Sequence, residues 1–279
     1  MSLDASSVGY KTEVLEFEYD FRTTVLYALG IGIGREELDF LYEGRGPRVF
    51  PTFAVVPAYA ALGRLLGRAG ANLASVVHHG QSVRLHAEFP PRGRLSTVGT
   101  IDGVYDMKRL GLLAFSTATH LDGALVGETS WSILVRDGGA FGGPRPPKTE
   151  VPEPLDREHP SFEVTLETRP EQALLYRLSG DLNPLHADPD VARAAGFLDG
   201  PILHGLCTFG FVARAVIAGQ CAGDASRLRA LHVQFKKPVW PGDSIRTLGF
   251  QVDQSRSVVQ SFAGGRPEPV VTNAWAELR

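Results

Sequence analysis

The sequence predicts an α+β protein of two similar halves, each an antiparallel sheet laid against one long apolar helix. Three observations lead there. Val83–Ile101 ("VRLHAEFPPRGRLSTVGTI") and Arg229–Phe250 ("RALHVQFKKPVWPGDSIRTLGF") repeat each other, sharing Leu-His-x-x-Phe, a following proline shifted by one, and a later Thr-x-Gly, the mark of a duplicated unit. Each repeat follows an apolar segment of helical length and opens a series of segments that alternate apolar and polar residues. Between the halves, Asp137–Pro160 ("DGGAFGGPRPPKTEVPEPLDREHP") holds too much glycine and proline for helix or strand and reads as a linker.

In the first half the helix is expected over Thr52–Arg68, and strands over Ser82–Phe89, Leu95–Met107, Leu110–His120 and Leu125–Val135. In the second the helix is expected over Leu206–Ala218, and strands over Ala230–Phe235, Ser244–Gln254, Val258–Ala263 and Pro269–Leu278. The helices are expected to be apolar on nearly every face. Leu206, Cys207, Phe209, Phe211, Val212, Val216 and Ile217 leave no polar stripe, so that helix must be enclosed. One buried helix wrapped by an antiparallel sheet resembles the hot-dog fold, and two copies in one chain a double hot-dog. The domain division is 1–137, a linker at 138–160, and 161–279.

Composition narrows the function. At 279 residues, 43% hydrophobic and 21% charged, the chain can bury a large core. Its net charge of -3 offers no general attraction to nucleic acid or anionic membrane. Cys207 and Cys221 lack metal-type spacing and fit a reducing compartment. The start "MSLDASSVGY" has neither a basic n-region nor an apolar core, and the most apolar run, Leu206–Ala218, is too short to span a bilayer.

The chemistry is concentrated in "YRLSGDLNPLHADP", Tyr176–Pro189. Gln172–Leu178 has helical composition and stops at Ser179-Gly180, where glycine can end a helix. Asn183-Pro184 and Asp188-Pro189 each pair a capping residue with proline at a first helical position, so the chain restarts a turn and then a helix running to Gly196. Asp181, Asn183 and His186 therefore share a stiff turn that can aim three polar groups at one water. Capping alone accounts for Asn183 and Asp188; histidine caps poorly, so His186 asks for another role.

"YRLSGDLNPLH" followed by "GFLDGPILHGLCTFG" resembles the signature of (R)-specific 2-enoyl-CoA hydratases, the hydratase-2 or MaoC-like group that includes the hydratase domain of peroxisomal multifunctional enzyme type 2. "ALGIGIGREELDFLYEG", "PTFAVV", "VVHHGQ" and "GAFGGPRPP" resemble the noncatalytic half of its two-domain members, so the likeness covers almost the whole chain. The resemblance implies metal-free, cofactor-free hydration of trans-2-enoyl-CoA to (3R)-3-hydroxyacyl-CoA. It assigns Asp181 and His186 as the catalytic pair, Asn183 as a holder of the water, and Gly205, at the start of the second-half helix, as an oxyanion donor. His79, Gly80, Lys108, Leu182, Pro184, Leu185 and Phe235 match positions lining the thioester substrate, with Lys108 suited to a CoA phosphate and Lys237 similar in role.

Tyr42 matches a tyrosine of open role, and His204 reads as a supporting or helix-start residue. His86 and His232, which recur in the repeat, read as structural, and Cys207 as a buried apolar residue. The first half lacks Asp-x-Asn-Pro-x-His. Its helix carries Ala54, Ala58, Ala60, Ala61 and Gly63, room for an acyl tail, so the first half is expected to be noncatalytic and to bind acyl chain and CoA. The alternatives on the same fold are an acyl-CoA thioesterase and a nonenzymatic acyl-CoA binder; a metal hydrolase on Asp181, His186 and His204 is possible by residue type alone. The expected setting is cytoplasmic, since "NAWAELR" is not a Ser-Lys-Leu peroxisomal address. The expected partners are an acyl-CoA substrate and a second copy of the chain, with an active monomer also possible and no nucleic acid or membrane insertion.

Overall fold

The computed structural model describes residues 3–279. In chain order the elements are β1 (Leu15–Tyr19), α1 (Phe21–Gly30), α2 (Val55–Arg68), β2 (Val76–Leu85), β3 (Gly93–Met107), β4 (Leu110–Leu121), β5 (Ala124–Val135), β6 (Phe162–Glu167), α3 (Gln172–Tyr176), α4 (Pro189–Ala194), α5 (Gly205–Gln220), β7 (Leu228–Phe235), β8 (Ser244–Gln251), β9 (Arg256–Ala263) and β10 (Val271–Leu278). The Gly/Pro-rich stretch between β5 and β6 carries no helix or strand.

The elements pack as two units. One gathers the N-terminal residues to Glu18 with Ala54–Ala87 and Arg94–Glu150; the other gathers Tyr19–Phe53, Glu88–Gly93 and Val151–Arg279. In the first unit the strands lie in the order β1-β3-β4-β5-β2, with β3-β4, β4-β5 and β5-β2 antiparallel. In the second the order is β7-β10-β9-β8-β6, with all four pairings antiparallel. The repeat survives in detail. Its two threonines sit alike: Thr97 bonds Thr119 across β3-β4 at 3.0 Å, and Thr247 bonds Ser261 across β8-β9 at 3.0 Å.

The two central helices differ. Helix α5 lies against β6, β7 and β8 and is enclosed as its sequence demands, with Phe209, Phe211, Val212 and Val216 wholly buried. Each buried phenylalanine contributes about 1.5–3 kcal/mol of apolar transfer. Helix α2 packs against β4 and is one-sided: Ala58, Ala61 and Leu65 are buried, while Ala60, Gly63, Arg64, Gly67 and Arg68 are exposed. The expectation of a helix apolar on nearly every face therefore holds for α5 and not for α2, whose two arginines and glycines form a solvent-facing stripe. Close packing explains the Thr-x-Gly glycine of each repeat. A Cβ on Gly99 would stand 2.9 Å from that of Ala61, and one on Gly249 would overlap the ring of Phe162.

Three elements were not expected from the sequence: β1, β6 and α1. The first two are five and six residues of alternating type, "LEFEY" and "FEVTLE", at the outer edge of each strand order. Helix α1 starts at Asp20, whose carboxylate accepts from the N–H groups of Arg22 and Thr23. The segment holding α1 packs on second-unit elements. Gln172 donates to the carbonyls of Leu29 (3.0 Å) and Gly30 (2.6 Å), and Arg214 of α5 donates to Ile31 O (3.2 Å) and pairs with Glu37 (2.8 Å).

Candidate active site

The signature turn is held by its own backbone. Helix α3 continues into a 3-10 turn at Arg177–Ser179 and stops at Gly180, whose φ of 125° suits glycine. Asp181 accepts from the N–H of Asn183 at 3.2 Å, Asn183 Oδ1 accepts from Leu185 N–H at 3.0 Å, and Asp188 accepts from Asp190 N–H at 2.8 Å. Pro184 and Pro189 open the next two helical turns, where a fixed φ is already helical. Arg177 closes the loop by donating to Leu182 O at 3.1 Å. Asn183 is thus a cap, as its residue type alone suggested, and its amide NH2 remains available as a donor.

His186 and His204 form the centre. His186 is 8% exposed and His204 wholly buried. Their rings stack with centroids 3.8 Å apart and planes 27° from parallel, and Tyr176 packs on His204 at 5.0 Å. Each imidazole has one nitrogen fixed by a backbone carbonyl. His186 Nδ1–H donates to Ile202 O (2.8 Å), and His204 Nε2–H donates to the main-chain O of Asp181 (3.1 Å). A carbonyl only accepts, so His186 Nε2 and His204 Nδ1 carry lone pairs in the neutral rings.

The ligating atoms of Asp181, His186 and His204 lie within 4.8 Å of one another, but the stack does not suit a shared metal ion. Each lone pair lies in its own ring plane, and two planes stacked 3.8 Å apart at 27° do not meet at a point within metal-bonding distance of both rings. His186 also borders a cavity of about 590 Å³ lined by Ala173, Leu174, Pro201, Trp240 and the ion pair Arg266–Asp243.

Burial favours the neutral form of both imidazoles. It lowers the pKa of His186, against the opposing pull of the Asp181 carboxylate and the Ile202 carbonyl. It lowers that of His204 from 6.5 to about 3, with the charge of His186 adding to the effect. Between those two values the unfolded chain binds a proton at His204 that the folded chain refuses, so His204 makes stability fall as pH falls from about 6.5 toward 3. The Tm is expected to drop between about pH 7 and about pH 5, and to drop less in His204→Gln. Equal drops by differential scanning calorimetry would remove His204 as a source.

Of the residues expected at the site, the second unit brings together Asp181, Leu182, Asn183, Pro184, Leu185, His186, Gly205 and Phe235. Gly205 is the first residue of α5, and a Cβ there would stand 3.3 Å from the Phe235 ring. Leu182 is 60% exposed. His79, Gly80 and Lys108 belong to the first unit. His79 is the extra residue of a β-bulge, between the register pairs His78↔Ile133 and Gly80↔Ser132, a device that re-aims a side chain. Lys108 is exposed at the β3–β4 turn with φ of 72°.

The other histidines and polar residues also have their places. His86 pairs with Glu128 (2.8 Å), His232 stacks on Trp275 (5.9 Å), and Lys237 pairs with Glu268 (2.6 Å). Cys207 is buried, its thiol donating to Gly30 O at 3.2 Å and pushed up in pKa by burial. Tyr42 is about half exposed. The residue the sequence undervalued is His204. Its signal was a histidine immediately before the glycine that opens the buried helix, a place where its side chain does no capping.

Comparison with known proteins fits this geometry. Residues 152–271 match the MaoC like domain, and residues 17–137 match the MFE-2 hydratase 2 N-terminal domain. A Mycobacterium tuberculosis protein named 3-hydroxyacyl-thioester dehydratase Y is 37% identical over 95% of this chain and 93% of its own length. The crystal structure of a MaoC-like dehydratase from Phytophthora capsici superposes with a TM-score of 0.87 at 26% identity, over 99% of this chain and 98% of that one. A Mycobacterium tuberculosis protein described as having a double hotdog fold superposes with a TM-score of 0.60 at 14% identity, over 98% of this chain and 97% of that one, a likeness of fold. The chain is a double hot-dog protein and belongs to the MaoC-like, hydratase-2 family.

Proposed function

We propose that this protein hydrates trans-2-enoyl-CoA reversibly to (3R)-3-hydroxyacyl-CoA in lipid oxidation, without metal or redox cofactor. The observation that carries the reading is the pair Asp181 and His186 on one capped turn, next to His204, which leads directly into the N-terminus of α5.

Hydration needs a base for the water, a proton for C2, and donors for the enolate oxygen. A neutral His186 with its Nε2 lone pair, together with the Asp181 carboxylate, supplies the first two. The pair takes one proton from water as the oxygen bonds to C3, and returns one proton to C2, so the site ends as it began. The N–H of Gly205, at the positive end of a buried 16-residue helix, is suited to the oxygen of the thioester. The amide of Asn183 can hold the water from a second side.

In this reading the first unit is the noncatalytic partner. Its candidate residues for acyl-chain and CoA binding are His79, Gly80 and Lys108; the candidate substrate residues of the second unit are Leu182, Pro184, Leu185 and Phe235. The functional form is a homodimer, to be decided by sedimentation over a concentration series. The two free cysteines fit a reducing compartment, the cytoplasm first. Among the described residues no helix is long and apolar enough to cross a membrane.

The test is incubation of the purified protein with crotonyl-CoA and longer enoyl-CoAs, following loss of the conjugated enoyl absorbance and the chirality of the product. Metal-free formation of the (3R) product is expected. An (S) product, thioester hydrolysis, or activity lost to a chelator and restored by zinc would refute it.

A further inference from the structure

We propose that His204 is a positioning residue for hydration, a neutral imidazole that holds both members of the catalytic pair at once, through a hydrogen bond to the main chain of Asp181 and a ring contact with His186. The inference rests on the hydratase reading and adds a residue to its machinery.

The sequence position gives His204 its reach. It is the N-cap residue of α5, with φ -59° and ψ 139°, yet its side chain makes no capping hydrogen bond. The side chain turns back toward the signature loop, and Nε2–H meets the carbonyl of Asp181 at 3.1 Å across 23 residues of chain. One residue thereby joins the loop that carries Asp181 to the helix whose first N–H is that of Gly205. Its ring face lies on His186 at 3.8 Å. Behind it stand Tyr176 at 5.0 Å and then Tyr27, 6.1 Å from Tyr176, whose hydroxyl is anchored to Thr52 Oγ1 at 2.7 Å. The His186 ring is thus held at one edge by Ile202 O and on one face by a packed aromatic column.

A plain core residue would not explain these details. Leucine or phenylalanine could fill the space, but neither donates to Asp181 O. A charged side chain could donate but would bring a cation against His186 in a buried place. Only a neutral donor with a flat face does both tasks, and burial holds His204 in that neutral form well below neutral pH. His204 Nδ1 is buried with no hydrogen-bond partner among the described residues, a cost accepted to keep a ring at this position. Placement is what the arrangement supplies, and a displacement of about 1 Å at a reacting group can cost about 100-fold in rate.

The test compares three variants with the wild-type protein on crotonyl-CoA. His204→Phe keeps a ring and loses the donor. His204→Gln keeps a donor at the reach of Nε2 and loses the ring. His204→Asn is too short to reach Asp181 O. Wild-type hydration establishes the reaction itself, so a wild-type protein without hydratase activity sinks the functional reading rather than this one.

Given that activity, His204→Phe and His204→Asn are expected to lose about 10- to 100-fold in kcat with KM changed by no more than about 2-fold. His204→Gln, which keeps the donor and loses the ring, is expected to recover part of the loss and to stand between His204→Asn and wild type. The acid limb of kcat/KM should persist in His204→Gln, because that limb reports His186 and not His204. Near wild-type kcat in His204→Phe, Gln no better than Asn, or an acid limb that vanishes with His204 would each overturn the proposal. If His204→Phe does not fold, the Gln-against-Asn comparison decides alone.

Discussion

Asp181→Asn and His186→Ala are each expected to lower kcat for crotonyl-CoA hydration by about 100-fold or more, with the fold retained, the size usual for removal of a general acid or base. The fold should survive because neither side chain carries the core. Asp181 is part-exposed and its carboxylate receives one backbone N–H at 3.2 Å, which an Asn oxygen can also receive. His186 is buried, so His186→Ala also removes the stack on His204, and circular dichroism must accompany the rates. The Asp181 variant carries a second signature. The Asp181 carboxylate favours the protonated form of His186, so removing its charge makes His186 harder to protonate. The acid limb of the residual activity should therefore move to lower pH. A variant with kcat within about 3-fold of wild type would lose its assigned role, and an acid limb moving upward would show that Asp181 does not act on His186 through charge.

Much of this site was legible in the sequence because its geometry is local. The capping residues and prolines at Asn183-Pro184 and Asp188-Pro189 set the turn by themselves, and the structure closes the bonds they imply. The fold was legible where patterns were long: β3, β4 and β5 each alternate over many residues, and α5 is a long run too uniformly apolar to lie at the surface. Strands β1 and β6 were missed because five or six alternating residues at an edge make a weak signal beside such segments. Helix α1 was missed for another reason. Its partners, Gln172, Tyr176 and Arg214, lie some 140 to 180 positions further along the chain, so nothing nearby announces what it packs on. The role of His204 was hidden in the same way, since its ring meets Asp181, His186 and Tyr176 only after the chain has folded.

Gly205→Ala is expected to lower kcat by about 100-fold, comparable to the loss of one oxyanion donor, although the backbone N–H itself is kept. The reason is space. The added methyl would stand 3.3 to 3.5 Å from three atoms of the Phe235 ring, tight enough that the ring must yield by a few tenths of an ångström, and it would occupy room through which the thioester oxygen approaches the helix N-terminus. Two explanations of the loss are separable. If Gly205 matters only because Phe235 packs on it, then Phe235→Leu should relieve the crowding, and the double variant should return to the activity of Phe235→Leu alone. If Gly205 matters because the substrate oxygen needs the bare backbone, trimming the ring does not clear the methyl from the oxygen's path. The double variant should then stay as impaired relative to Phe235→Leu as Gly205→Ala is relative to wild type, an additive pair despite their contact. Saturation kinetics sharpen the test, since an oxyanion contact made mainly in the transition state lowers kcat and kcat/KM together, whereas lost ground-state binding raises KM. Recovery in the double variant, or a loss confined to KM, would return Gly205 to a packing role and leave the enolate oxygen to be held by another donor at the start of α5.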